Sequence, residues 1–291
     1  MKRKDFLKSL ALLPLAGTSM ELNNLSKLGD SLGLSERMPL LFVGHGNPMN
    51  AITANPYSQS WTKIGNNLTP PKAILCISAH WLTNGTSVTV NPKPPTIHDF
   101  GGFPDELFQV QYPAAGAVDY AKMVVSGVKS VVVHEDTEWG LDHGAWSVLK
   151  AMYPKANIPV FQMSIDYGKP LQYHYNLAKE IAFLRERGVL IVASGNIVHN
   201  LGMISWGDAS KKYDWAIEFD DFAKKNLESG NHQALIHYQT LGRVADLAHP
   251  TNDHYIPLIY TVGLIHQKDQ LKFFNDSFDL GSISMRSVMY S

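Results

Sequence analysis

With 291 residues and one cysteine, Cys76, the chain can form one large α/β domain or two small ones and no intramolecular disulfide. A net charge of −1 with no basic run argues against a nucleic-acid partner. Hydrophobic residues at 45% and charged residues at 18% fit a globular protein with a real core.

The N-terminus stands apart. Met1 to Lys8 is basic and Ser9 to Gly17 is apolar and small, the layout of a signal peptide. Arg3-Lys4-Asp5-Phe6-Leu7-Lys8 resembles a twin-arginine export signal, with Lys4 where the second arginine belongs. This points to export to the periplasm; the alternative is an uncleaved amphipathic helix on a cytoplasmic protein. The apolar core is shorter than the ~20 residues of a membrane span, and no later stretch qualifies. Residues 18–37 read as a polar linker. Residues 1–37 are therefore set aside as leader and linker, and one folded domain is expected over 38–291.

That domain begins with Pro39 to Val43, continuously apolar and so a buried strand, which runs into Gly44-His45-Gly46. Tyr57 to Leu68 has helical spacing through Trp61, Ile64 and Leu68, and Pro70-Pro71 ends it. Ala73 to Ser78 is a second apolar run, closed by Ala79-His80, with Cys76 as inert core. Thr86 to Val90 is a short alternating strand. Pro92 to Pro104 is too rich in proline and glycine for regular structure and reads as a functional loop. A helix over Ala114 to Lys129, a strand over Ser130 to His134 and a turn over Trp139 to Trp146 that opens a helix running to about Met152 follow. Pro159 to Ile165 reads as a strand, and Pro170 to Arg187 as a long amphipathic helix capped by Gly188. The third apolar run, Val189 to Ser194, leads to His199. Tyr213 to Glu228 is helical, His249 to Pro257 is a loop entering a helix to Leu264, and Leu271 to Phe274 and Ser282 to Tyr290 are strands. Strands alternating with helices predict an α/β fold: a single domain with a central, largely parallel (mixed) sheet flanked by helices.

Twelve histidines is a high count. His45, His80 and His199 each follow an apolar strand. In open α/β sheets, ligands bind beyond the carboxyl ends of the strands, so neighbouring strands would bring these imidazoles together there. Neutral imidazoles suit Zn, Fe and Cu, and a catalytic site keeps about three ligands and an open position. His45 and His80 are the best ligand candidates. His254 is the expected third ligand, with Asp253 beside it as a helix cap or a carboxylate partner. His199 is either a fourth ligand or an acid/base group. Asp142 could cap the next helix while His143 is displayed at its start. His249 would brace its loop, and His134, His174, His232, His237 and His266 are read as structural. The chain has no Gly-x-Ser-x-Gly elbow, Walker loop or dinucleotide fingerprint.

Seven motifs then combine: Gly44-His-Gly-Asn-Pro-Met, Ser78-Ala-His-Trp81, Thr96-Ile-His-Asp-Phe-Gly-Gly-Phe-Pro104, Tyr112-Pro-Ala, Asp142-His-Gly-Ala-Trp146, Ser194-Gly-Asn-Ile-Val-His-Asn200 and His249-Pro-Thr-Asn-Asp-His-Tyr-Ile-Pro257. In this order they resemble class III extradiol ring-cleavage dioxygenases, nearest the 4,5-DOPA extradiol branch, from Pro39 to the C-terminus. The resemblance implies one divalent metal per subunit on His45, His80 and His254, with His199 beside it as acid/base or additional ligand. It also implies His143 facing the substrate and a pocket walled by the Thr96–Pro104 loop, with His98 and Phe100 as contacts. A pocket lined by Phe100, Phe103 and Trp81 is expected. The implied reaction opens a catechol with O2 to a muconic semialdehyde, with Fe(II) for activity and Zn(II) as an alternative occupant. Many relatives place a glutamate where this sequence has His254, and Asp253 is the one neighbouring carboxylate the sequence offers. A zinc hydrolase using the same shell is the rival reading, and a zinc-buffering protein the non-enzymatic one. The sequence does not indicate an oligomeric state.

Overall fold

The computed structural model describes residues 33–206 and 212–291, so the leader reading lies almost wholly outside the described residues. In chain order the strands are β1 (Leu40–Gly44), β2 (Ala73–Ser78), β3 (Leu82–Thr83), β4 (Thr86–Thr89), β5 (Val133–Asp136), β6 (Val160–Gln162), β7 (Ile165–Asp166), β8 (Val189–Gly195), β9 (Leu271–Phe274), β10 (Phe278–Asp279), β11 (Ile283–Ser284) and β12 (Ser287–Tyr290). The helices are α1 (Pro56–Asn67), α2 (Asp105–Phe108), α3 (Val118–Gly127), α4 (His143–Met152), α5 (Leu171–Ile181), α6 (Asp214–Glu228), α7 (His232–Ile236), α8 (Arg243–Ala248) and α9 (Ile256–Gly263).

The central sheet has six strands in the order β6-β2-β8-β1-β12-β9. β6, β2, β8 and β1 are parallel, and β12 and β9 add an antiparallel edge. Successive side chains of a strand point to opposite faces. Leu40, Phe42, Leu75, Ile77, Ile191 and Ala193 therefore join one core, while Leu41, Val43, Ile74, Cys76, Leu190 and Val192 join the other. The first core is covered by α3, α5, α6 and α9, and the second by α1 and α4 through Trp61, Trp146 and Leu149. Both faces being buried explains the continuously apolar strands. Among the described residues no helix is long and apolar enough to cross a membrane.

The elements differ from the expected ones where other bonds compete. The helix expected from Ala114 begins at Val118, because Ala115 and Ala117 instead exchange backbone hydrogen bonds with Val160 at the edge of β6. The strand expected at Ser130 starts at Val133, in parallel register with β4. The long helix after Pro170 is α-helical only to Ile181; it tightens to a 3₁₀ helix over Ala182–Arg187 before Gly188, whose φ of +83° closes it. The expected strand over Ser282 to Tyr290 is split into β11 and β12. Ser35 and Met38 donate to the carbonyls of Glu186 and Arg185, so the chain is already held against the domain just before β1.

Candidate metal centre and its pocket

β8 lies between β1 and β2, and the registers Gly44↔Gly195 and Ser78↔Ser194 align the three carboxyl ends. The side chains beyond them therefore share one edge of the sheet. Gly46, at φ +56°, turns the chain away immediately after His45. Gly195 allows a second segment to approach: a Cβ there would run into the His254 carbonyl oxygen. Asn196 then joins the parts. Its backbone N–H donates to the His254 carbonyl at 2.9 Å, and its amide donates to the Ser284 carbonyl at 2.8 Å. The loop bearing His254 is thus seated on the end of the strand that leads to His199.

His45, His80, His143, His199 and His254 all line one cavity of about 340 Å³. The ligand atoms of His45, His80 and His143 lie within 4.8 Å of one another. The His254 ring centroid is 5.2 Å from that of His45 and 5.0 Å from that of His80. His199 stacks on His254 at 3.5 Å with the planes 6° apart.

Hydrogen bonds fix which nitrogen faces the cavity for His45, His143 and His254. The Ser194 hydroxyl donates to the Gly144 carbonyl at 2.6 Å, so it accepts from His45 Nδ1 at 3.0 Å. His254 Nδ1 donates to the Asp253 carboxylate, and His143 Nδ1 to Asp99 Oδ2 at 3.0 Å. His80 Nδ1 lies 3.4 Å from the same Asp99 oxygen. With Nδ1 carrying the proton, each Nε2 presents a lone pair. His45 Nε2 and His80 Nε2 are 3.1 Å apart, and with His80 protonated at Nδ1 toward Asp99 they are two acceptors face to face. A cation between them resolves the repulsion, and neutral imidazoles oriented by carboxylates or hydroxyls suit a divalent transition metal. The residues fit the metal that the sequence implies.

Electrostatics keeps the rings of His45, His80, His199 and His254 neutral. Burial, reinforced by neighbouring imidazoles, holds His45 and His254 well below the usual histidine range. Burial, with His143 next, pushes His80 down to about 3 against the opposing pull of Asp99. Burial takes His199 to about 4. Ligation requires deprotonated rings, so no proton has to leave them near neutral pH. Burial opposes the charge on Asp99, but hydrogen bonds and charge from His143 and His80 outweigh it and hold its carboxyl low. Asp142 caps α4 by accepting from the Ala145 N–H, and Gln162 grips both its side chain and its backbone N–H.

The cavity wall differs from the expected one. Phe100 and Phe103 line it, but Trp81 does not: it is buried and stacks on Trp139 at 5.5 Å. His98 is not among the lining residues either; its Nε2 donates to the Val110 carbonyl at 3.0 Å, inside an aromatic cluster with Phe108 and Trp146. Asp99, its neighbour, lines the cavity instead. Asp253 is therefore not the one carboxylate at hand. Leu201, Ile204, Trp206, Leu280 and Ile283 complete an apolar mouth that the sequence did not indicate. His249 braces its loop by donating to the Ile197 carbonyl at 2.7 Å.

Residues 38–286 match the family described as the catalytic LigB subunit of aromatic ring-opening dioxygenase. The chain belongs to this family. It is 43% identical over 265 residues to a 4,5-DOPA dioxygenase extradiol of Escherichia coli (strain K12), covering 89% of this chain and 97% of that one. A 4,5-DOPA dioxygenase extradiol of Beta vulgaris is 37% identical, covering 86% and 95%. The crystal structure of an uncharacterized protein of Escherichia coli K12 superposes with a TM-score of 0.77 at 39% identity, over 88% of this chain and all of that one. The protein is an extradiol aromatic ring-opening dioxygenase with a single α/β domain, and the zinc-hydrolase and zinc-buffer readings give way to this membership.

Proposed function

We propose that this dioxygenase opens a catechol beside its diol with O2 to give a muconic semialdehyde. The proposed shell is one divalent metal ion per subunit on His45, His80 and His254, Fe(II) for turnover, with Zn(II) able to occupy the same site. The observation that carries this is the 3.1 Å approach of two Nε2 lone pairs at the floor of a cavity large enough for a substituted catechol. When bound, the ion would bring diol and O2 together and supply the Lewis-acid and redox chemistry.

The protein's own groups supply the rest. His254 is taken as third ligand on the family resemblance, and Asp253 orients it as metal-ligating histidines are usually oriented; Asp99 holds His143 in the same way, so His143 is the competing ligand. His199, neutral near pH 7 and open to the cavity, takes a phenolic proton at a ring nitrogen and later returns it. His143 faces the substrate, where its Nε2 can accept from or polarise a hydroxyl oxygen. Phe100 and Phe103 flank the ring and exclude water. A DOPA-like substrate is suggested by the names of the relatives.

The test is oxygen uptake with DOPA and with plain catechol, on protein reconstituted anaerobically with Fe(II) and, in parallel, with Zn(II). Uptake with Fe(II) and a yellow semialdehyde is the expected result. No uptake with either metal across several catechols would remove the catechol reading. His143→Ala should retain the metal; loss of the metal would make His143 the third ligand.

A further inference from the structure

Asp99 lies in the proline- and glycine-rich loop between β4 and α2, on none of the elements that carry the imidazoles. Its Oδ1 accepts the backbone N–H of His143 at 2.9 Å, and its Oδ2 accepts His143 Nδ1 at 3.0 Å. The same Oδ2 stands 3.4 Å from His80 Nδ1. Ser194 meets the Nδ1 of His45 and Asp253 that of His254, whereas this carboxylate stands against the Nδ1 atoms of two rings from two elements. The loop cannot easily move with them. The Ile97 N–H donates to the Leu141 carbonyl at 2.7 Å, the Leu141 N–H to the Pro95 carbonyl at 2.8 Å, and Trp146 Nε1 to the Ile97 carbonyl at 2.8 Å. Phe100, next in sequence, meets the His143 ring edge-on at 5.5 Å.

We propose that Asp99 is a positioning residue: one carboxylate fixes the tautomer and orientation of His80 and His143 together, so that both turn an Nε2 lone pair into the cavity. This rests on the proposed metal site for its consequence but not for its geometry. The same contact couples the substrate wall to the metal floor, since Asp99 and Phe100 are consecutive.

The isosteric Asp99→Asn tests it. If the amide keeps its oxygen on the His143 backbone N–H, its NH2 faces two Nδ1 atoms and drives both rings to the opposite tautomer. If it flips, the NH2 meets a backbone N–H. The first outcome costs the Nε2 lone pairs and the second costs a donor–acceptor pair, with volume unchanged in both. An aspartate-to-asparagine change beside a catalytic histidine in a serine protease acts in this way, through the wrong tautomer. Metal affinity is read on the full-length apo protein by titration with Co(II), following its d–d absorption, and turnover by oxygen uptake after Fe(II) loading. For Asp99→Asn we expect an intact fold, Co(II) affinity about 10–100-fold weaker with an altered spectrum, and kcat lowered more than KM is raised. Asp99→Glu, which restores the carboxylate, should recover part of both losses. Parental Co(II) affinity, spectrum and kcat in Asp99→Asn would overturn the proposal. So would Asp99→Asn and Asp99→Glu being equally impaired with melting temperatures lowered alike, because Asp99 would then serve the fold alone. If the parent consumes no O2 with any catechol, the proposed function fails, and the Co(II) measurements still decide the role of Asp99.

Discussion

At the floor of the cavity His45 is 1% exposed and His254 5%; at its mouth Leu201 is 59% and Trp206 80% exposed. The floor is polar and largely buried, with His45, His143 and His254 hydrogen-bonded to Ser194, Asp99 and Asp253, His80 in ionic contact with Asp99 and His199 stacked on His254. The mouth is apolar and open, and its side chains come from segments far apart in the chain. On the proposed function, chemistry that needs ligands held to a fraction of an ångström would sit at the carboxyl edge of the parallel strands, and selection among substituents would fall to surfaces that can vary without disturbing it.

The sharpest way to break this division is at the floor. His45→Ala or His80→Ala removes one of the two facing lone pairs, and metal affinity should fall by more than about 10³-fold, with ring cleavage lost. Metal content after dialysis checks this directly. A variant that keeps stoichiometric metal would show that the 3.1 Å pair does not hold the ion. Next in size is His199→Phe, which keeps a ring stacked on His254 but removes its nitrogens. It should retain metal and catechol binding and lose kcat by about 10²–10⁴, the usual range for general acid–base catalysis. Loss of the metal instead would make His199 a ligand.

The floor could be read from the sequence because its rule is local. Each of His45, His80 and His199 follows an uninterrupted apolar run, and a doubly covered parallel strand leaves that signature. Strand order was not readable, so convergence of the three histidines was conditional on their strands being neighbours, and β8 does lie between β1 and β2. Asp99 was missed because its partner His143 is 44 residues away and a single aspartate in a loop has no periodicity to betray it. His98 drew attention in its place, although the loop turns that ring inward to the Val110 carbonyl. The short helices α7 and α8 escaped for a related reason: five and six residues are too few to show a helical stripe.

A smaller effect separates the histidines of the floor from a histidine of the core. His174 is fully buried, hydrogen-bonded to the Tyr260 hydroxyl at 3.1 Å, and pushed down to about 4 by burial. The unfolded chain binds this proton near pH 6.5 and the folded one only near 4. Its contribution to stability is therefore complete above about 6.5, falls as pH drops through that window, and changes no further below about 4. The loss is on the order of 3 kcal/mol. Saturating metal should protect the ligating rings from acid but leave this term in place. Chemical denaturation of the metal-loaded protein at pH 7 and pH 5 would show it, and His174→Gln should flatten it. An unchanged pH slope in that variant would place the acid sensitivity elsewhere.

The smallest expected effect lies at the mouth. Trp206 borders the cavity while remaining mostly exposed, so it can cover only the outer part of a bound catechol, not the diol. Partial contact with one indole removes about 40 Å² of apolar surface from water, which at ~25 cal/mol per Å² is about 1 kcal/mol. Trp206→Ala should therefore raise KM about fivefold for catechols with a bulky apolar substituent, with kcat almost unchanged and plain catechol unaffected. This is the pattern of binding lost equally from ground and transition states. A fall in kcat for plain catechol would instead mean that the mouth helps to set the geometry of the floor, and the division between the two regions would not hold.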